Sequence, residues 1–137
     1  MTALVLRSKA HWGYSAAFLA HFAPGMVVRP RTLVRDDCLV AARGRYLLAY
    51  VVRRRGRIED LFVAPEAMGR GLGRVLLDRA RHAALAAGRR TLELDSDPFA
   101  IGFYRGQGAR LYGWRASPWP GDPARKLPRM RLLTGRR

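Results

Sequence analysis

What this chain lacks narrows it first. It has one cysteine, Cys38, in 137 residues, so no internal disulfide can form and a reducing, cytoplasmic setting is expected. No apolar run nears the ~20 residues of a membrane-spanning helix, so no membrane is expected as a partner. The opening "MTALVLRSKAHWGY" has no basic stretch leading into a long apolar one and a small-residue cleavage site, and no signal peptide is expected. Repeats and low-complexity linkers are missing as well. Acidic residues number 10, and only Glu59, Glu66 and Glu93 are glutamates.

Lysine is almost absent too: 24 of the 26 basic residues are arginine, and the formal charge is +16. Such a balance favours acidic partners in general. The arginines are scattered, however. Their longest run, "RRRGR" at 53–57, reads as a hairpin tip. The excess is therefore read as a compositional bias on a solvated surface, and nucleic acid is not expected as a partner.

What is present is a core. Hydrophobic residues make up 49%, enough for a single globular domain over 1–137. The pattern predicts helices at 2–12 and, capped by Ser15, at 16–22. Strands follow at 38–43, 46–52 and 57–63, the last stopped by Ala64–Pro65. Leu72, Val75, Leu76, Ala80, Ala83 and Ala87 recur at helical spacing, and Gly88 ends that helix. A strand at 91–95, a short helix capped by Asp97 with Pro98 at its first position, and strands at 109–114 and 129–133 complete the order. The stretch "SPWPGDPARKLP" is a loop. Helices, a hairpin run and then strand–helix–strand–helix–strand make a mixed α/β layer fold.

The most informative segment is "AMGRGLGRVLL", residues 67–77. Glycine is a poor helix former, yet a helix follows directly. The amides at a helix start are unpaired and carry partial positive charge, which suits phosphate. Gly69, Gly71 and Gly73 keep side chains out of the way, while Arg70 and Arg74 add charged donors. The Gly-Lys-Ser/Thr ending of a nucleotide-phosphate loop is missing, and Arg74 stands where a dinucleotide fingerprint needs glycine. A diphosphate cradle of another kind remains.

"FVAPEAMGRGLG" (62–73) resembles the acetyl-coenzyme A motif of the Gcn5-related N-acetyltransferase superfamily. After one helix and one strand comes Asp97-Pro98-Phe99-Ala100-Ile101-Gly102-Phe103-Tyr104, then Gly108. That run is similar to the family's second motif, with Asp97 where asparagine is commoner. "RSKAHWGYS", "DSDPFAIGFYRGQGAR" and "ARKLPRMRLL" extend the resemblance along nearly the whole chain. Two features depart from the pattern. Met68 replaces the usual Gln or Arg, and the chain opens in a helix where the family has a first strand.

The resemblance implies a mixed, mostly antiparallel sheet flanked by helices, lacking that first strand. It implies acetyl-CoA as cosubstrate, no metal, and direct attack by an amine. Met68, Gly69, Arg70, Gly71, Leu72, Gly73 and Arg74 would hold the diphosphate. The backbone of Leu61, Phe62 and Val63 would pair with the pantetheine arm, and Asp97, Ala100 and Tyr104 would complete the donor site. Tyr104 is the expected acid toward the departing thiolate, with Phe103 the more core-like of the adjacent pair. Glu59 is the expected base, with Asp60 its competitor on the opposite face. Lys9, His11, Trp12 and Tyr14 are the acceptor-side candidates, Trp12 being equally suited to a packed corner. Without a first strand, 38–43 would be an open edge. A second subunit in a homodimer, a displaced part of the chain, or a longer natural N-terminus would then cover it. Two other readings stay open. A non-catalytic acyl-CoA-binding module would release no thiol from acetyl-CoA, and a basic nucleic-acid binder would show salt-dependent duplex binding.

Overall fold

The structure, a computed structural model, describes residues 2–26 and 37–135. Its strands are β1 (Asp37–Arg43), β2 (Tyr46–Arg54), β3 (Arg57–Val63), β4 (Thr91–Asp95), β5 (Arg110–Ala116) and β6 (Lys126–Leu133). They form one sheet in the order β1-β2-β3-β4-β6-β5. α1 (Thr2–His11) and α2 (Ala16–Phe22) precede the sheet, α3 (Leu72–Ala86) joins β3 to β4, and α4 (Ile101–Gly106) follows β4. Every neighbouring pair is antiparallel except β3–β4. The mixed sheet flanked by helices is thus the one expected. β1 is an edge strand with no strand on its outer side among the described residues, and Leu39 and Val40 there are exposed.

Alternation along β2 explains the layers. Ala49 and Val51 face α3, where Leu76, Leu77, Ala80 and Ala84 cover Leu92, Leu94, Met130 and Leu132. Tyr50 and Val52 face the other way, under Leu4 and Val5 of α1. With both faces covered, β2 is the most buried strand. The final strand begins three residues earlier than its alternation predicts, taking Lys126, Leu127 and Pro128 from the expected loop. Proline can sit there because β4 has just ended. Its missing N–H is not needed, and its carbonyl accepts from the Ser96 amide at 2.8 Å. The helix after Asp97 starts as a single tight turn, Pro98–Ala100, before Ile101.

Two irregularities position the site. β3 and β4 pair at one register position, Arg57↔Glu93, where the Glu93 amide donates to Gly56 O at 2.8 Å. Beyond it the strands separate, so the sheet opens as a seam toward the carboxyl ends of both. Open α/β sheets bind ligands at such ends. The second irregularity is a bulge. Val52 pairs with Asp60 and Arg53 with Ile58, leaving Glu59 as the extra residue of β3.

Candidate functional site

The glycine segment builds a backbone cradle at the mouth of the seam. Gly69 and Gly71 have φ of 78° and 82°, a left-handed conformation that side chains disfavour, and a Cβ at either would point into open space. Gly71 is also the N-cap of α3. The Met68 amide donates to Pro65 O at 3.3 Å and the Val75 amide to Gly71 O at 3.1 Å. Between them, the amides of residues 69–74 reach no protein acceptor among the described residues. Arg70 and Arg74 are exposed, and neither is ion-paired within that set. Gly73 has a packing purpose besides. A Cβ there would lie 3.2 Å from the Phe103 ring, so this glycine lets α3 approach α4.

The cradle opens into a groove of about 680 Å³. Leu61, Val63, Met68, Leu72, Ala100 and Tyr104, all sequence candidates for the cofactor site, line it. Phe62 does not, because alternation turns its ring toward Tyr50 on the α1 face (centroids 6.0 Å apart). Phe99, Phe103 and Gln107 line the groove without having been assigned to it. Their four-residue spacing was the available signal. The expected roles of the adjacent aromatics are reversed in burial: Tyr104 is 6% exposed, whereas Phe103 is only partly buried in the groove wall. The Tyr104 hydroxyl has no hydrogen-bond partner among the described residues. Burial, with the negative charges of Asp97 and Asp60, pushes its pKa above the ordinary phenol value, so it stays protonated at neutral pH.

Asp97 caps the turn leading to Tyr104, accepting from the Phe99 amide at 2.9 Å. Two acceptor-side candidates converge on the same carboxylate. Lys9 Nζ lies 2.8 Å from Oδ2, and the Tyr14 hydroxyl donates at 2.9 Å to Oδ1. The Lys9 and Asp97 side chains are 12% and 10% exposed, so this is a nearly buried tie between α1 and the β4–α4 turn. Burial first, then Asp97, pushes the Tyr14 phenol up to about 12. Trp12 lines the same groove and stacks on Phe99 at 6.2 Å, while His11 is exposed and lines none of the described cavities near the seam.

The carboxylates beside the seam differ sharply. Glu59, at the bulge, is 42% exposed with Arg57 Nε 4.0 Å away. Asp60 faces α1, accepts from the Tyr50 hydroxyl at 3.3 Å, and is pushed upward in pKa chiefly by burial. Asp95 is also buried, which alone would raise its carboxyl. Arg115, Arg57 and Arg129 around it outweigh that effect and hold it below the usual range. Among the described residues, no group of three or more His, Cys, Asp or Glu side chains is placed to hold a metal ion. No described helix is long and apolar enough to cross a membrane.

Comparison with known proteins agrees with this geometry. A family profile for the acetyltransferase (GNAT) domain matches residues 16–113. A GCN5-related N-acetyltransferase (aminotransferase, class II) from Rhodopseudomonas palustris superposes with a TM-score of 0.77. It is 20% identical, and the match covers 96% of this chain and 86% of that one. Nourseothricin acetyltransferase gives 0.66 at 26% identity over 74% of this chain and 66% of its own. An aminoglycoside 6'-N-acetyltransferase complexed with coenzyme A gives 0.69 at 14% identity over 99% and 89%. A search of the curated proteins gives no match. With a bare amide cradle, a sheet parted beside it and the profile spanning most of the fold, the chain belongs to the GCN5-related N-acetyltransferase family.

Proposed function

We propose that this protein transfers an acetyl group from acetyl-CoA to a primary amine by direct attack. The observation that carries the reading is the run of unpartnered amides at 69–74 opening into the parted seam. Those amides and the α3 N-terminus suit a diphosphate, and Arg70 and Arg74 add charge-assisted donors. The edge of β3 at Leu61–Val63 has no strand beside it, although the Val63 carbonyl accepts from the Ser8 hydroxyl, and it suits an extended amide-bearing arm, as an added strand would. Acetyl-CoA supplies the thioester. The chain's residues orient it and move protons.

In this reading Glu59 takes a proton from the incoming ammonium, directly or through water, so that the amine attacks as a neutral nucleophile. The new N–C bond forms as the C–S bond breaks, and the attacking nitrogen gives up its second proton to solvent, leaving a neutral amide. Tyr104, kept protonated by its surroundings, faces the groove and gives its proton to the departing sulfur. The proton held at Glu59 returns to Tyr104 through solvent, and the site is reset. Thiol release from acetyl-CoA over a panel of amines tests the function. Binding of CoA without release from any amine would reduce the protein to a binding module.

A further inference from the structure

A second cavity, of about 620 Å³, adjoins the donor groove, and Phe99 stands in the wall of both. It lies between the α1–α2 turn, the β4–α4 turn and the β5–β6 loop, and its aromatic wall is Tyr14, Phe99 and Trp114. The charged groups facing it among the described residues are Arg125, Lys126 and Asp122.

Arg125 is held in place. Its guanidinium lies 4.9 Å from the Phe18 ring and 5.1 Å from Phe22, and Nη1 donates to Ser117 Oγ at 2.8 Å. A guanidinium so held keeps further N–H donors for a ligand. Lys126 is exposed with no ion-pair partner among the described residues. The acids nearby are already matched. Asp95 is bound by Arg57, Arg115 and Arg129, Glu93 by Arg131 and Tyr112, and Asp97 by Lys9 and Tyr14. Asp122 is left as the acid of the cavity wall, against two cations.

We infer that the acceptor is an amine whose molecule also carries an anionic group, a carboxylate or a phosphate. That group sits at Arg125 and Lys126, and the apolar body lies against Phe99 and Trp114. A polycationic acceptor finds its countercharges in this cavity already engaged or outnumbered. The inference rests on the acetyl-transfer reading for the amine, but the anion seat is measurable without chemistry.

The test uses the full chain loaded with acetyl-CoA and four acceptors built on one ring: benzylamine, para-(aminomethyl)benzoate, para-(aminomethyl)phenyl phosphate and para-xylylenediamine. Thiol release gives kcat/KM, and ligand-observed NMR on the CoA-loaded protein gives binding. The anionic pair should exceed benzylamine by about tenfold or more, and the diamine should fall below it. The ratio between benzoate and phosphate decides which anion the seat prefers. Arg125→Met and Lys126→Met should each erode the preference. The exposed Lys126 keeps the test intact if Arg125→Met unfolds. Faster turnover of the diamine or of benzylamine overturns the inference while upholding acetyl transfer. Anion binding that depends on Arg125 or Lys126, without thiol release, upholds the seat and removes the acetyl-transfer reading. No binding by either anionic amine overturns the seat.

Discussion

The donor groove and the cavity beside it are built from opposite materials. The groove's grip is backbone: amides of residues 69–74 on glycines at positive φ, with two exposed arginines as the charged supplement. The cavity is lined by side chains, aromatic rings and two cations against one acid, drawn from the α1–α2 turn, the β4–α4 turn, β5 and the chain running into β6. A ligand shared by a whole family can be held by main chain, which tolerates drift in side chains. A ligand particular to one member has to be held by side chains. The difference also decides where substitutions act, and the following experiments set the two regions against each other.

The largest effect is expected at Gly71. Gly71→Val should weaken acetyl-CoA binding about a hundredfold or more by calorimetry, because the branched side chain projects into the cradle. The positive φ of 82° adds about 1–2 kcal/mol of strain for any side chain. Gly71→Ala separates the two causes, carrying the strain with less bulk. Equal CoA affinity in Gly71→Val and wild type would falsify the cradle. Next is Tyr104→Phe, which should lower kcat by about a hundredfold and leave acetyl-CoA affinity nearly intact. An unchanged kcat would mean that the phenol moves no proton.

Lys9→Met turns to the tie between the regions. Breaking the nearly buried pair with Asp97 should cost about 2–3 kcal/mol in denaturant unfolding, while CoA affinity changes little. A neutral effect on stability would show that the tie contributes nothing. Arg70→Ala and Arg74→Ala should each weaken CoA binding about fivefold, with the loss shrinking as salt rises. A salt-independent loss would assign these residues to packing.

The smallest effect is a pair of pH dependences with different windows. Tyr14 has a folded pKa of about 12 against an ordinary 10.0, so the folded state binds more protons between those values. Its contribution is complete below pH 10 and is lost as pH rises toward 12. Asp95 is held below the ordinary 3.8, so its contribution is present above that value and is lost as pH falls through the lowered one. Tyr14→Phe should flatten the alkaline limb of stability alone, and Asp95→Asn the acid limb alone. Either variant flattening the wrong limb would refute the assignment.

The sequence made one of these regions legible. Gly69, Gly71 and the helix behind them are contiguous, so their chemistry can be read from one string, and Tyr104 follows at a recognisable spacing. Strands β1 to β4 emerged within two residues of their predicted ends because alternation is local. The packing side of Gly73 was not legible, because its reason is Phe103, thirty residues away. The bulge at Glu59 depends on how β2 pairs, and period-two reasoning cannot see it. The aromatic and charged cavity brings Tyr14 beside Trp114 and Arg125, which no spacing rule connects. Lys9 and Tyr14 were singled out for the acceptor side, but their shared partner Asp97, more than eighty residues on, could not be read from spacing.

The single register pair between β3 and β4 divides the sheet into two three-stranded halves, with α1 strapped across them through Asp97. Strand hydrogen bonding is thereby discontinuous at the centre of the molecule, where most sheets are strongest. Amides on the facing edges of the two strands have no ladder to protect them, so solvent deuterium should enter there before it reaches β2 or β6. A chain-like guest that completes the ladder would close that route. The middle of the fold would then be its most ligand-responsive part, and the rim its most constant.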